Sequence, residues 1–368
     1  MLAIMQPTDV RCFPLSRVRS SLTAALLVMG MAAGPVFTAT PAAAARAPRV
    51  TAHTGVLMEL STGAVLWQRG MHRPALVAST TKILTALVAE RVYPADKVFR
   101  VPLAAVKVDG TRFGYQTGMR VSRHDLLTTM LMVSANDAAE TLAAAYPHGG
   151  RAGFLAAMQA EATRFGCTDS TWRDPSGLDA PGHRASAADL AILGKALLAR
   201  PELAKIVAAR SKAYRWPDRH IQYITNHNHF VSYGRDPGAI GIKTGYTMAA
   251  HSTIVAAQRR GGRTLIAVAL GTDHMYDDVR SMLAYGFATR APASAPRLGR
   301  DPTARMSSVG PTKVQRAAGG GGTPRDSEAV SPIVHRIMVA PVPVLATVAV
   351  ALLVLGVMVT AFSRSPRP

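Results

Sequence analysis

Strand-like segments lie near both ends of the central part of this 368-residue chain, and helical patterns lie between them. Residues 54–60 and 64–68 flank a short Ser-Thr-Gly turn, which is typical of a β-hairpin. Residues 252–257 and 264–270 form a second such pattern around an Arg-Arg-Gly-Gly-Arg turn. Because a sheet must bury a face against another layer, the sequence predicts one sheet built from both ends of the body, with helices packed on it. The predicted fold class is mixed α/β, of the α+β type.

Apolar residues recur at helical spacing in three interior segments, residues 82–91, 125–145 and 187–198. In the first of them, Leu84 and Leu87 fall on the same side. These segments are predicted to be helices, and they supply the layers that cover the sheet.

The first 45 residues have the three-part pattern of a secretory signal peptide. Arg11, Arg17 and Arg19 precede a nearly wholly apolar run at residues 22–33, and small residues suited to a signal peptidase follow. At about 1.5 Å per residue, this run is too short to cross a hydrocarbon layer of ~30 Å comfortably. Residues 1–45 are therefore predicted to be a signal peptide. An uncleaved anchor is the alternative, and either one exports the segment that follows.

The amino-acid composition changes in the C-terminal part of the chain. Residues 291–332 are rich in Ala, Pro, Ser, Arg and Gly without periodicity, which predicts a flexible linker. Residues 344–362 carry no charge and would span about 28 Å as a helix, so residues 333–363 are predicted to be a transmembrane helix. A buried core helix is the alternative. Residues 364–368 are then a cytoplasmic tail, and the body, residues 46–290, is anchored to the cell membrane on its outer side.

The formal charge of +20 first suggests a nucleic-acid partner. The arginines are scattered singly, however, without interleaved aromatic residues, so we expect a solvated surface suited to an anionic cell envelope and no nucleic-acid partner. Two cysteines, Cys12 and Cys167, exclude a disulfide framework, and Cys167 is expected to be a small buried residue. His227 and His229 have no evident third ligand, so no metal and no other cofactor is predicted.

Three short motifs stand in order along the body: Ser79-Thr80-Thr81-Lys82, Ser134-Ala135-Asn136 and Lys243-Thr244-Gly245. Each alone is a weak signal. Ser79 falls where an extended segment gives way to a helix, which makes it a candidate N-cap. Lys82 lies three residues further on, so its amine can reach the Ser79 hydroxyl. A lysine is a base only when neutral, and burial together with a second cation nearby can move its pKa from ~10.4 to about 7. The pair predicts nucleophilic catalysis.

With their surroundings, the motifs resemble those of penicillin-binding D-alanyl-D-alanine carboxypeptidases, low-molecular-weight serine peptidases related to class A β-lactamases. The resemblance rests on residues 78–86, 125–139, 174–178 and 241–247, together with Gly182, His183 and Ser186, and it covers roughly residues 50–290. It implies a β-lactamase/D,D-peptidase-like fold with an antiparallel sheet and a mainly helical subdomain. It also implies a D,D-carboxypeptidase that acts on peptidoglycan stem peptides and that β-lactam antibiotics acylate.

The resemblance implies catalytic roles for the first two motifs. Ser79 would be the nucleophile, and Lys82 its base. Ser134 would relay a proton between Lys82 and the leaving amine, and Asn136 would bind the peptide amide of the substrate.

The third motif would bind the end of the substrate. Lys243 and Thr244 would receive its terminal carboxylate, and Gly245 would let its backbone approach closely. The backbone N–H groups of Ser79 and Tyr246 would form the oxyanion hole.

Other functions remain open on the same fold. A β-lactamase is one, although no glutamate stands between Glu161 and Glu202, where the class A enzymes carry the residue that holds the deacylating water. A D,D-endopeptidase and a non-catalytic penicillin-sensing or wall-binding module are the others. Many relatives have glycine where this chain has His251, so we expect a local change in packing there.

Overall fold

A five-stranded antiparallel sheet forms the centre of the computed structural model, which describes residues 46–216 and 218–299. The strands are β1 Thr54–Glu59, β2 Val65–Arg69, β3 Val98–Arg100, β4 Arg120–Ser122, β5 Ser211–Arg215, β6 Ile221–Thr225, β7 Ala239–Thr247, β8 His251–Arg260 and β9 Arg263–Thr272. The order in the central sheet is β2-β1-β9-β8-β7, while β3 pairs with β4 and β5 pairs with β6. Strand β1 pairs with β9 along its whole length. The prediction of one sheet made from both ends of the body is therefore confirmed.

Helices cover both faces of this sheet. They are α1 Lys82–Val92, α2 Leu103–Val106, α3 Arg123–Met132, α4 Asn136–Ala144, α5 Gly150–Arg164, α6 Ala187–Leu198, α7 Pro201–Ala208, α8 His229–Ser232 and α9 Met275–Ala288. Along β9, Leu265 and Ala267 belong to the core on the α9 side, whereas Ile266 and Val268 belong to the opposite core. Successive side chains of a strand point to opposite faces, so a strand that is apolar at every position is buried on both.

Helix α1 lies in the larger of these two cores, on the face of the sheet opposite α9. Every residue from Lys82 to Ala89 is buried, so this helix has no solvent face in its first two turns. It contacts α3, α5 and α6. A lysine at the first position of such a helix is held away from water, and this burial affects the protonation of its amine.

The predicted helix over residues 125–145 is instead two helices, α3 and α4. Ser134 lies between them with a φ of 64°, a left-handed conformation that an α-helix cannot contain. The Asp137 carboxylate, in the first turn of α4, accepts hydrogen bonds from the backbone N–H groups of Phe113 and Gly114, both at 3.0 Å. The break makes Asn136 the first residue of α4, where its side chain is buried.

The contacts of the body continue beyond the predicted boundary at residue 290. Leu298 is buried and its N–H donates to Gly63 O at 2.8 Å, while Val65 N–H donates to Pro296 O at 2.8 Å. The start of the predicted linker therefore packs against the β1–β2 turn.

The predicted signal peptide, transmembrane helix and cytoplasmic tail lie outside the described residues. Within residues 46–216 and 218–299, the helices are too short or too polar to cross a bilayer.

Candidate active site

The first motif lies in a tight turn that leads into α1. Residues Ala78–Thr81 form a single 3-10 turn, and α1 begins at Lys82. Ser79 is therefore not the N-cap of α1: Thr81 holds that position, and its side chain makes no capping hydrogen bond. Ala78 has a φ of 46°, a left-handed conformation that is uncommon for a residue with a Cβ. Ser79 follows it directly and is half-buried.

The Lys82 amine is fully buried and makes three hydrogen bonds. Its Nζ lies 2.8 Å from Ser79 Oγ, 2.7 Å from Asn136 Oδ1 and 2.6 Å from the carbonyl oxygen of Ser176. Two of these partners can only accept, whereas the Ser79 hydroxyl can also donate. A neutral amine, with two N–H groups and one lone pair, satisfies all three: it donates to Asn136 and Ser176 and accepts from Ser79. The geometry thus suits a base that is ready to take the serine proton.

The surroundings of Lys82 favour this neutral form. Burial lowers its pKa well below the ordinary value, and the positive charge of Lys243 lowers it further. The carboxylates of Asp174, Asp137 and Glu140 act in the opposite direction, but more weakly than burial. The condition that the sequence set for a lysine base, burial together with a second cation, is therefore met.

The third motif lies on β7, the edge strand of the sheet. Lys243 is buried and its Nζ donates to the Thr244 carbonyl oxygen at 2.7 Å. Burial lowers the pKa of Lys243 to about 7. A Cβ added at Gly245 would lie 2.6 Å from the backbone nitrogen of Ser79. Only glycine at this position lets the strand come so close to the nucleophile's turn. Tyr246, the next residue, is exposed.

The second motif brings the Asn136 side chain into contact with Lys82, whereas Ser134 lies in the turn that precedes α4. The buried Asn136 side chain joins two parts of the site, because its Oδ1 accepts from Lys82 and its Nδ2 donates to the Asp109 carbonyl oxygen at 2.6 Å. Ser134 is half-buried in its left-handed turn, and it is not among the hydrogen-bond partners of the Lys82 amine within the described residues.

The loop at residues 174–178 presents the Ser176 carbonyl to Lys82. Asp174 Oδ1 accepts from the backbone N–H groups of Ser176, Gly177 and Leu178 at 2.8 to 3.0 Å. Its Oδ2 accepts from the Arg151 guanidinium at 2.7 Å. A carboxylate with this many donors fixes the loop backbone, so Asp174 orients the third partner of the lysine.

A cavity of about 310 Å³ adjoins the second motif. Its lining includes Arg112, Val133, Tyr223 and His227. Burial lowers the pKa of His227, and the positive charge of Lys243 lowers it further. His229 is not among the residues that line the cavity. Its ring stacks on that of Tyr233, with 4.1 Å between the ring centroids.

Comparison with known proteins agrees with this geometry. The sequence profile of the D-alanyl-D-alanine carboxypeptidase family, peptidase S11, matches residues 41–274. This chain belongs to that family. It is 35% identical over 262 residues to the D-alanyl-D-alanine carboxypeptidase DacB2 of Mycobacterium tuberculosis, an alignment that covers 69% of this chain and 88% of the relative.

Solved structures of carboxypeptidases and related enzymes share the fold. A crystal structure of a D-alanyl-D-alanine carboxypeptidase from Mycobacterium tuberculosis matches with a TM-score of 0.64 and 33% identity, over 70% of this chain and 98% of that one. The Streptomyces K15 DD-transpeptidase matches with a TM-score of 0.62 over 66% of this chain and 100% of that one. Because the identity is 24%, this second match supports the fold alone.

The carboxypeptidase site contains parts that sequence reasoning missed. The Ser176 carbonyl was one, since a main-chain oxygen carries no residue-type signal; the Asp-Pro-Ser-Gly sequence, typical of a turn built on an aspartate, was the available hint. Arg151 was another: it bridges Asp174 and Glu140 from helix α5, with 2.9 Å between its Nε and Glu140 Oε2. Arg151 lies outside all three motifs, so the motifs did not point to it.

Proposed function

We propose that this chain is a serine-type D-alanyl-D-alanine carboxypeptidase, which removes the terminal D-alanine from peptidoglycan stem pentapeptides through an acyl-enzyme on Ser79. One observation carries the assignment: the Lys82 amine, buried and favoured in its neutral form, lies 2.8 Å from the Ser79 hydroxyl. The D,D-peptidase family to which the chain belongs makes the stem peptide the substrate class.

The reaction follows from that pair. Lys82 takes the proton of Ser79 as its oxygen attacks the carbonyl carbon of the penultimate D-alanine. The proton then passes to the departing nitrogen, through Ser134 or from Lys82 itself, as the C–N bond breaks and free D-alanine leaves. Water repeats the sequence on the Ser79 ester, with Lys82 as its base, and restores the hydroxyl.

The edge of β7 binds the end of the substrate. Lys243 and Thr244 receive the terminal carboxylate, whose negative charge raises the pKa of the Lys243 amine and holds it protonated. The N–H groups of Ser79 and Tyr246 stabilise the developing oxyanion. Asn136 binds the peptide amide, and the cavity lined by Arg112 and His227 gives the substrate room beside the second motif.

β-Lactam antibiotics acylate the same serine and are released slowly. The three carboxylates whose charges act on Lys82 are all engaged elsewhere: Asp174 with its own loop and Arg151, Asp137 with Phe113 and Gly114, and Glu140 with Arg151. None of these three is free to hold a deacylating water, which favours a carboxypeptidase over a β-lactamase.

The catalytic domain acts outside the cytoplasm, anchored by a C-terminal transmembrane helix. The support is the signal-peptide pattern of residues 1–45 and the uncharged stretch at residues 344–362. Carbonate washing tests it: the full chain should stay with the membrane fraction, and a chain ending at residue 332 should be released. A full chain that washes off would contradict the anchor.

Mass spectrometry of stem pentapeptides, before and after incubation with the purified full chain, tests the activity. We expect loss of one D-alanine, and no loss with Ser79→Ala. Ser61→Ala, which changes an exposed serine in the β1–β2 turn, is the control and should keep full activity. Cleavage of cross-linked dimers in preference to pentapeptides would indicate an endopeptidase, and rapid penicillin turnover a β-lactamase.

A further inference from the structure

A histidine outside the three motifs is connected to the nucleophile's turn. His183 is 1% exposed, and its Nε2 lies 2.9 Å from the side-chain oxygen of Thr81. Its other ring nitrogen, Nδ1, lies 3.0 Å from the backbone nitrogen of Arg173. Trp172 packs against the ring edge-to-face, with 5.8 Å between centroids. The histidine is thus fixed on both nitrogens and on one side.

These contacts determine the tautomer of the ring. The Arg173 backbone N–H can only donate, so Nδ1 of His183 accepts and carries no proton. Nε2 therefore carries the hydrogen and donates it to Thr81 Oγ1. The Thr81 hydroxyl uses its own proton on the Ala78 carbonyl oxygen, at 2.9 Å. Burial lowers the pKa of His183, against the weaker influence of Asp174 and Asp179, which keeps the ring neutral.

The end of this chain of hydrogen bonds is the peptide unit that joins Ala78 to Ser79. In a planar trans peptide the carbonyl and the N–H point in opposite directions, so a bond that fixes the Ala78 carbonyl also fixes the Ser79 N–H. Within the described residues, that N–H donates to no protein acceptor, and it faces the space kept open by Gly245.

The Ala78–Ser79 peptide needs such support because its conformation is strained. Ala78 holds a φ of 46°, and its carbonyl oxygen would lie 1.9 Å from a Cβ added at Gly177. A left-handed residue with a Cβ persists only when its surroundings hold it. Three hydroxyls supply that hold: Thr81 donates to the Ala78 carbonyl, and Thr80 and Thr253 donate to the Val77 carbonyl at 2.6 and 3.0 Å.

We propose that His183 is a positioning residue for acyl transfer: through Thr81 it aims the Ser79 N–H into the oxyanion hole and holds Ser79 in place for attack. This inference rests on the proposed function, which gives the Ser79 N–H that role. His183 touches neither the substrate nor the reacting atoms. Its loss slows the acylation step and leaves the affinity for the first, noncovalent complex nearly unchanged.

Stopped-flow acylation of the full chain by a fluorescent penicillin tests the proposal, because it separates the acylation rate constant from the dissociation constant of the noncovalent complex. His183→Leu should lower the rate constant about 10- to 100-fold, the scale of a displaced reacting group. The dissociation constant should change less than about threefold. Thr81→Val should act in the same way, and the double variant should lose no more than either single one.

The conservative variant separates positioning from general destabilisation. His183→Gln can still donate an amide N–H to Thr81, so we expect it to stay within about fivefold of the parent chain. Phe154→Leu is the matched control, because Phe154 is fully buried in the same core, on helix α5, and is not part of the hydrogen-bond chain. It should lower the thermal midpoint yet keep the acylation rate.

Four results would overturn the proposal: equal losses in His183→Gln and His183→Leu, a loss confined to the dissociation constant, additive losses in the double variant, or a loss in Phe154→Leu as large as in His183→Leu. If His183→Leu does not fold, His183→Gln and Thr81→Val decide alone. A parent chain that penicillin does not acylate would refute the proposed function itself, which is a separate result.

Discussion

Two lysines are buried in the site, close enough for the charge of Lys243 to act on Lys82, and their surroundings differ. Lys82 begins a helix inside the larger core and has three oxygen partners, whereas Lys243 lies on the edge strand and donates to the Thr244 carbonyl. Burial lowers the pKa of both amines, but the charge of Lys243 lowers that of Lys82 in addition. The surroundings of Lys82 therefore favour its neutral form. In the proposed mechanism this amine is the base, and Lys243 is the cation that binds the substrate carboxylate.

The largest expected effect is the loss of the base. Lys82→Met should lower the acylation rate constant about 10³- to 10⁴-fold, because the Ser79 hydroxyl then has no acceptor for its proton, on the upper scale of general base catalysis. It also leaves Asn136 Oδ1 and the Ser176 carbonyl without their donor. Single-turnover kinetics with a D-Ala-D-Ala peptide measures the change. A loss below tenfold would refute the assignment of the base.

Removal of the other lysine should be milder and should depend on the substrate. Lys243→Met should lower kcat/KM about 10²-fold for a peptide with a free terminal carboxylate, on the scale of one lost charge-assisted contact. It should matter much less for the methyl ester of the same peptide. Equal losses on both substrates would show that Lys243 does not bind the carboxylate.

The two amines should also give a pH profile with opposite limbs. Activity rises with pH as Lys82 loses its proton, at a pH well below the ordinary lysine value. For a carboxylate substrate, kcat/KM should fall again as free Lys243 loses its proton above about pH 7. With the ester, the descending limb should weaken or vanish, and an unchanged limb would contradict its origin in Lys243.

Stability should rise with pH in the same range. Both lysines have lowered pKa values in the folded chain, so the unfolded chain binds more protons between about pH 7 and the ordinary lysine value. Each group then adds up to about 1.4 kcal/mol of unfolding free energy per pH unit. Urea denaturation at pH 7 and pH 9 should show the increase. Lys243→Met should reduce it, and an unchanged slope in that variant would contradict the prediction.

The smallest effect is expected at His251. This residue has a φ of 54°, in the left-handed region that favours glycine, and its Nδ1 lies 3.5 Å from Asp273 Oδ1 in an exposed pair. His251→Gly removes the backbone strain but raises the conformational entropy of the unfolded chain. We therefore expect the free energy of unfolding to increase by about 0.5 kcal/mol. Thermal unfolding measures it. A clear loss of stability would mean that the packing of the histidine ring matters more than the strain.

The sequence predicted most of what depends on periodicity and on motif order. The hairpins at both ends of the body gave the antiparallel sheet, and helix α6 has the predicted bounds, residues 187–198. Cys167 is buried, as expected. Lys82 was correctly expected to reach Ser79, because three residues on a helical turn fix that distance whatever surrounds them.

Sequence reasoning could not give the parts that depend on strained backbone or on main-chain atoms. Ser134 reads as part of one helix until its left-handed φ is seen. Ser79 seemed to be an N-cap because a single 3-10 turn has no sequence signature of its own. The contacts from His183 to Thr81 and from Ser176 to Lys82 join residues about a hundred positions apart, which only the packed core brings together.

The narrow gap at Gly245 limits how such an enzyme could become resistant to the drugs that target it. A methyl group there would fall against the Ser79 amide, which in the proposed mechanism binds the carbonyl oxygen of both a β-lactam and the D-alanine substrate. A mutation at this point cannot exclude the inhibitor without excluding the natural substrate. Resistance would have to arise further out, around the rim of the cleft or by escape of the acyl group, while this residue stays the same.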